Sequence, residues 1–323
     1  MQARRSGFGC LDLMAGPDIS VVLATYNRAA LLPRAIASVL AQDGVDFELI
    51  IVDDASTDST RDYLATLADP RVRIVTVQSN LGPSGARNRG LAATRSPVVA
   101  FLDSDDRYRP GRLAAPLAAL ADADVVCVLS SALRFDRGTP REARVPDVTL
   151  RREAFEWALI CDLVPVEASS MTVRRDDAVA AGGFCPTLRL AEDREFLIRL
   201  ARRGGGRLLP DVLWEKNWVD DSLSNEWRKA AAGLVAYLRE RPEYASRFPA
   251  VASYFATKIL VSHVRDRRFD ALWHDVAAFR AAGLIDANLP RVIARHRAVS
   301  DYRREHATGA ALAALRGAPE KWL

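Results

Sequence analysis

The chain has 323 residues, enough for one large domain or two of ordinary size. Apolar residues make up 49% and charged residues 27%, as in soluble globular proteins, and no run nears the roughly 20 apolar residues of a membrane span. The net charge of +4 is unevenly placed: residues 225–323 carry 17 Lys/Arg against 10 Asp/Glu, the first 224 carry 28 against 31, so the basic excess lies in the C-terminal third, as for an anionic partner or simply solvated helix faces.

Residues 1–17 show no period and read as a leader, with Arg4 and Arg5 but no apolar core of signal-peptide length. Cys10, Cys127, Cys161 and Cys185 lie far apart without metal or redox spacing, which fits a reducing cytoplasm. A first strand over 19–24 ends at Thr25-Tyr26-Asn27-Arg28. Leu31, Leu32, Ala35, Ile36, Val39 and Leu40 then recur at helical spacing. A second strand, 47–52, is closed by Asp53 and Asp54, and a helix follows through Tyr63, Leu64 and Leu67. A third strand covers 72–77, a loop 80–85, and a helix starts at Ala86. The run 98–102 reads as a strand buried on both faces that passes straight into Asp103-Ser104-Asp105-Asp106.

Four strands alternating with helices predict a parallel, βα-wound sheet. Such a sheet gathers Thr25-Tyr26-Asn27, Asp53-Asp54, the Gly82 loop and the acidic cluster along one carboxyl edge, where α/β sheets bind ligands. Crowded carboxylates repel unless a cation gathers them, and oxygen ligands suit Mg²⁺ or Mn²⁺. After Pro110 the expected elements are a helix through Leu113, Leu117 and Leu120, strands at 124–129, 164–173 and 207–213, and an exposed polar loop between Phe135 and Leu150. Glu192 and Asp193 fall at the start of a helix carrying Phe196, Leu197 and Leu200. From 225 onward the stretches 231–238, 251–264, 269–279 and 292–315 allow amphipathic helices, with no repeat and no catalytic signature.

These clusters suit a bound nucleotide. Asp53 and Asp54 can accept from a base or ribose, the backbone at Thr25-Tyr26-Asn27 can frame a base, and the 82–85 turn lets the chain approach a ligand closely. Arg87 and Arg89 can meet phosphate, and Asp193 can take a proton from an attacking hydroxyl. Singly these are common: an acid at a helix start is usually a cap, and such arginines are usually surface charges. Their order and spacing together are far harder to obtain by chance.

The residues 20–27, 47–58, 80–82 with 85–90, 101–106 and 191–193 resemble, block by block, those of a family 2 glycosyltransferase, over roughly 18–224. The resemblance implies a GT-A fold, α/β and Rossmann-like with a mostly parallel central sheet, over 18–224, followed by a helical appendage over 225–323. It implies inverting transfer of a sugar from a UDP-, GDP- or dTDP-linked donor to a saccharide, lipid-linked or small-molecule acceptor. Carried over, Asp54 contacts the base, Thr25, Tyr26 and Asn27 frame it, and Gly85 and Arg87 approach the nucleotide. Asp103 and Ser104 meet the sugar nucleotide, Asp105, Asp103 and Asp106 hold Mn²⁺ or Mg²⁺, and Asp193 is the base. Trp218 stands about where many relatives have a His, so a third metal contact stays open, with Lys216 able to meet phosphate instead. The absence of Gln-x-x-Arg-Trp and of membrane spans points to one sugar per encounter. A dinucleotide-binding oxidoreductase would need G-x-G-x-x-G after the first strand, and a nucleotidylyltransferase a glycine-rich basic loop there; neither is present. A non-catalytic sugar-nucleotide-binding or scaffold protein is the alternative. No nucleic-acid partner is expected; a cytoplasmic protein is, with peripheral contact to the inner membrane face through the basic helices and a homo-oligomer both left open.

Overall fold

The strand–helix alternation expected over 19–103 is realised in a computed structural model that describes residues 16–136, 138–188, 191–217, 227–286 and 288–318. It contains β1 (Ile19–Thr25), α1 (Leu32–Leu40), β2 (Phe47–Asp53), α2 (Thr60–Ala65), β3 (Val72–Thr76), α3 (Gly82–Ala93) and β4 (Val98–Asp103). These four strands pair in parallel in the order β3-β2-β1-β4. The register sets Thr25 opposite Asp53 and Ala24 opposite Asp103, so the polar strand ends share one edge.

Alternation along β1 explains the layering. Ile19, Val21 and Leu23 pack with Leu32, Ala35, Ile36 and Val39 of α1 on one face, while Val22 joins Leu91, Val99 and Phe101 on the other. Burial on both faces is why β1, β2 and β4 read as continuous apolar runs. A Cβ on Gly90 would stand 2.3 Å from Val22 Cγ1, so glycine there lets α3 lie close on the sheet.

Beyond β4 follow β5 (Arg107–Tyr108), α4 (Ala114–Ala119), β6 (Val125–Asp136), β7 (Thr139–Ala143), β8 (Val148–Leu150), α5 (Arg152–Ile160), a 3-10 turn (Ala168–Ser170), β9 (Met171–Arg174), α6 (Arg175–Ala180), α7 (Glu192–Ala201) and β10 (Gly205–Lys216). β9 runs antiparallel between β4 and β6, and β10 pairs in parallel with β6. Three expectations are corrected. The 135–150 stretch is not one loop but contains β7 and β8, paired antiparallel to β6 and β10. The strand expected over 164–173 shrinks to β9, because 168–170 forms the turn. The loop expected over 80–85 ends early: α3 begins at Gly82, with proline in its first turn.

The C-terminal helices are α8 (Trp227–Glu240), α9 (Pro242–Arg247), α10 (Pro249–Arg265), α11 (Phe269–Ala281), α12 (Leu289–His306) and α13 (Gly309–Ala313). Phe248, Val251, Tyr254, Val299 and Tyr302 share one apolar cluster with Phe155 and Trp157 of α5 and Leu197 of α7, and the Trp157 indole donates to the Tyr302 hydroxyl at 2.8 Å. Among the described residues no helix is long and apolar enough to cross a membrane.

Candidate active site

The carboxyl edge of the parallel strands is organised by side chains that reach back into the protein. Asp53, fully buried, accepts from the Ser56 amide and from Arg61 Nε at 2.8 Å, bracing the loop after β2. Asp54 accepts from the amides of Leu81 (2.7 Å) and Gly82 (2.9 Å), where the first turn of α3 has unpaired N–H groups. A carboxylate has about four acceptor sites, so these bonds are compatible with a further donor edge. Asn27, at φ 52°, accepts from Thr57 N at 2.7 Å and holds the β1 and β2 loops together. Tyr26 is 43% exposed on this edge, and the buried Thr25 hydroxyl has no hydrogen-bond partner among the described residues.

The helix α3 carries three polar side chains that fasten the segment before α7. Ser84 Oγ donates to Leu188 O, and Asn88 bonds both backbone groups of Phe184, at 2.7 and 2.8 Å. Gly183 sits at φ +64° with a virtual Cβ 2.4 Å from Asn88 Oδ1, so a side chain there would break this contact. Arg87 is buried, lies over the Phe184 ring at 5.3 Å, and pairs with Asp103 Oδ1 (2.7 Å) and Glu192 Oε1 (2.9 Å). Burial opposes its charge, but Asp103 and Glu192 more than compensate and hold it protonated. Arg89, by contrast, is exposed. A Cβ on Gly85 would stand 2.5 Å from Leu81 Cβ at the start of α3.

In the acidic cluster, Ser104 and Asp106 are both buried. The Ser169 hydroxyl donates to Asp106 Oδ2 at 2.6 Å and accepts from the Asp103 amide at 3.1 Å. The other Asp106 oxygen accepts from Asn217 N at 3.2 Å. Ser169 is held in turn by Arg112, a fully buried guanidinium that donates to Ser169 O, Met171 O and Thr172 Oγ1. Burial and the Asp103 carboxylate raise Asp105; burial, Asp103 and Asp105 raise Asp106 well above the usual range. Lys216, 3.5 Å from Glu167, faces these carboxylates; burial would lower its pKa, but Glu167, Asp106 and Asp103 raise it on balance. Among the described residues no three His, Cys, Asp or Glu side chains converge as a closed metal cage. The donors fit instead a hard cation that one or two carboxylates share with substrate phosphates.

Ala191, at φ 58°, starts α7, and Asp193 follows in its first turn, with Oδ1 accepting from Arg194 N at 2.7 Å. Burial pushes the Asp193 carboxyl up to about 7, with Glu192 adding to the shift and Arg194 and Arg87 opposing it. Arg87 therefore interacts electrostatically with Asp193 while it grips Asp103. Ser169, Arg112 and the role of Glu192 were missed from sequence; a Ser169-Ser170 pair inside an apolar run was the available signal. Trp218 and residues 220–224 lie outside the described residues.

Residues 20–183 match the protein family described as Glycosyl transferase family 2. Succinoglycan biosynthesis protein ExoO of Rhizobium meliloti is 43% identical over 143 residues, which are 42% of this chain and 41% of ExoO, so the match spans less than half of that relative. The fold is similar to that of S. aureus TarS 1-349 in complex with UDP-GlcNAc (TM-score 0.59, 20% identity, 89% of this chain and 92% of that one). It is also similar to the mannosyltransferase PcManGT from Pyrobaculum calidifontis in complex with GDP-Man and Mn²⁺ (TM-score 0.56, 20% identity, 93% of this chain and 85% of that one).

Proposed function

The chain belongs to glycosyl transferase family 2 and has the GT-A fold, and we propose that it transfers a sugar from a nucleotide diphosphate to an acceptor hydroxyl or amine with inversion. The observation that carries this reading is the Arg87 bridge, which joins the acidic end of β4 to the turn of α7 that bears Asp193. A donor site and a proton acceptor with a carboxyl near 7 thereby share one crevice.

In this reading Thr25, Tyr26 and Asn27 border the base, and Asp54 accepts from its donor edge while its oxygens also fix Leu81 and Gly82. Gly85 and Arg87 shape the wall from which Asp103 and Ser104 meet the ribose and sugar. Asp105 with Asp103 would hold Mn²⁺ or Mg²⁺, and Asp106, anchored by Ser169 and Asn217, orients the turn. When bound, the cation supplies positive charge against the leaving diphosphate. Asp193 takes the proton of the acceptor hydroxyl as that oxygen attacks the anomeric carbon, and the bonding pair departs with the diphosphate.

The same reading includes peripheral contact with an anionic membrane at its inner face. Val261, Val264, Phe269 and Trp273 are 53–70% exposed where α10 turns into α11, beside Arg265, Arg267 and Arg268.

The test is hydrolysis of a panel of nucleotide sugars with added Mn²⁺. The expected result is turnover that is abolished by Asp193→Asn while donor binding persists. Undiminished hydrolysis in that variant overturns the assignment of the base, and full turnover in EDTA overturns the cation.

A further inference from the structure

A cavity of about 440 Å³ lies between α7 and the C-terminal helices. Its wall is apolar: Ile198 on α7, Leu234 on α8, Phe248 before α10, and Ala252 and Ile259 on α10. A space of this size and lining suits the apolar part of a small ligand. Its position ties it to the reaction crevice, because Ala191 and Arg194, which flank Asp193 in the first turn of α7, also line it.

The charge beside the cavity is uneven. Arg194 and Lys258 both line it, and both pair with Asp162, at 2.5 and 3.3 Å. Arg303 of α12 reaches the same carboxylate at 2.6 Å. Three cations thus share one carboxylate, and the Lys258 side chain is 52% exposed. The positive excess stands at the cavity wall, next to the turn that carries Asp193. An apolar chamber with a cationic border thus adjoins the helix turn that carries Asp193, and these are the parts needed by an amphiphile that carries an anionic group between its chain and its reacting hydroxyl.

We propose that this cavity seats the hydrocarbon part of the acceptor, an amphiphile whose phosphate or diphosphate link rests against Lys258 and Arg194 and whose sugar hydroxyl reaches Asp193. The proposal rests on the glycosyl-transfer reading and narrows it to an acceptor class. Helix α10 also joins the cavity to the membrane-facing corner, since Ile259 and Ser262 line the cavity while Val261 and Val264 are exposed. A lipid-borne chain would have a short path from the bilayer.

The experiment measures binding of hexyl, octyl and decyl phosphate, kept below micelle formation, to the full chain by calorimetry, with inorganic phosphate and decyl maltoside as controls. Affinity is expected to rise up to roughly fourfold for each methylene added to the chain. Inorganic phosphate and the neutral maltoside are expected to bind at least about tenfold more weakly than decyl phosphate. Ala252→Phe, which fills the chamber, should weaken decyl phosphate at least about tenfold. Lys258→Gln, which removes the charge from a half-exposed side chain without setting a second acid against Asp162, should do so severalfold. Binding that ignores chain length, equal binding of decyl maltoside, or full affinity in both variants overturns the proposal. Nucleotide-sugar hydrolysis by the unaltered protein is measured alongside. If hydrolysis is present and selective amphiphile binding is not, this proposal fails alone; if hydrolysis is absent for every donor, the underlying reading fails.

Discussion

Arg87 Nη2 lies 2.7 Å from Asp103 Oδ1, so the helix after β3 grips the acidic end of β4 through a guanidinium that is itself buried. The second outer nitrogen holds Glu192, and a planar fork is what allows two carboxylates on different elements to be met at once. Removing one partner of a buried pair leaves the others uncompensated. Arg87→Met should therefore lower stability by about 2–3 kcal/mol, somewhat less than for a fully buried pair, because the Asp103 side chain is 34% exposed. Arg87→Lys should recover little, since an ammonium cannot span both acids. Urea unfolding of the three proteins measures the first effect. Nucleotide-sugar hydrolysis measures the second, a loss expected to exceed about tenfold in either variant.

Asp193 gives a pH signature of two opposite signs. As the proposed base, Asp193 must be ionised to accept a proton, so with its carboxyl near 7 the rate kcat/KM should climb with pH along a limb centred there. Stability runs the other way. The folded pKa lies above the unfolded value of about 3.9, so the favourable contribution is complete below about pH 4 and is lost as pH rises through about 7. Asp193→Asn should abolish the limb and, above pH 7, unfold later than the parent, by on the order of 2 kcal/mol. Thermal melts of both proteins from about pH 5 to about pH 8 check it. A stability gap that stays constant across the range would show that Asp193 is not charged at a cost in the fold.

Ser169 is a positioning residue for the acidic cluster: its hydroxyl gives a hydrogen bond to Asp106 and takes one from the Asp103 amide. Ser169→Ala leaves both groups short of a partner in a buried place, at a cost of about 1–3 kcal/mol. If it acts on the cation, the Mn²⁺ concentration for half-maximal hydrolysis should rise severalfold, with a smaller change in kcat at saturating metal. A change in unfolding midpoint without a change in the Mn²⁺ requirement would leave Ser169 a structural residue alone.

The sequence carried the parallel half of the sheet because its strands are buried on both faces and its helices have one apolar stripe, both local patterns. Thr25, Asp54 and Asp103 could be placed on one edge because parallel strands align their carboxyl ends. What had no local pattern was not readable. Arg112 and Ser169 meet across 57 residues, and a fully buried arginine looks like any surface arginine in a sequence. β7 hid because its residues are mostly exposed, so no apolar alternation marks it. Glu192 stood out only as an acid at a helix start; its partnership with Arg87 spans 105 residues. The Gly82-Pro83 start of α3, by contrast, did carry a readable signal in proline at the first turn.

The corner between α10 and α11 tests where the protein works. Trp273 is 70% exposed and Phe269 54%, and large aromatic side chains held in water at a basic corner gain by entering a bilayer interface. Asp266 pairs with both Arg265 and Arg268, and Arg267 stands between them in the turn. Near an anionic surface each added cation contributes about 1 kcal/mol, which is roughly fivefold in binding. The protein should therefore sediment with vesicles rich in phosphatidylglycerol and not with neutral vesicles, and the bound fraction should fall as salt is raised, since screening shortens the reach of the arginines. Trp273→Ser should weaken sedimentation through the apolar contribution and leave its salt dependence unchanged. Arg265→Glu should weaken it and flatten the salt dependence. Equal sedimentation of both variants and the parent would remove this corner from the membrane contact.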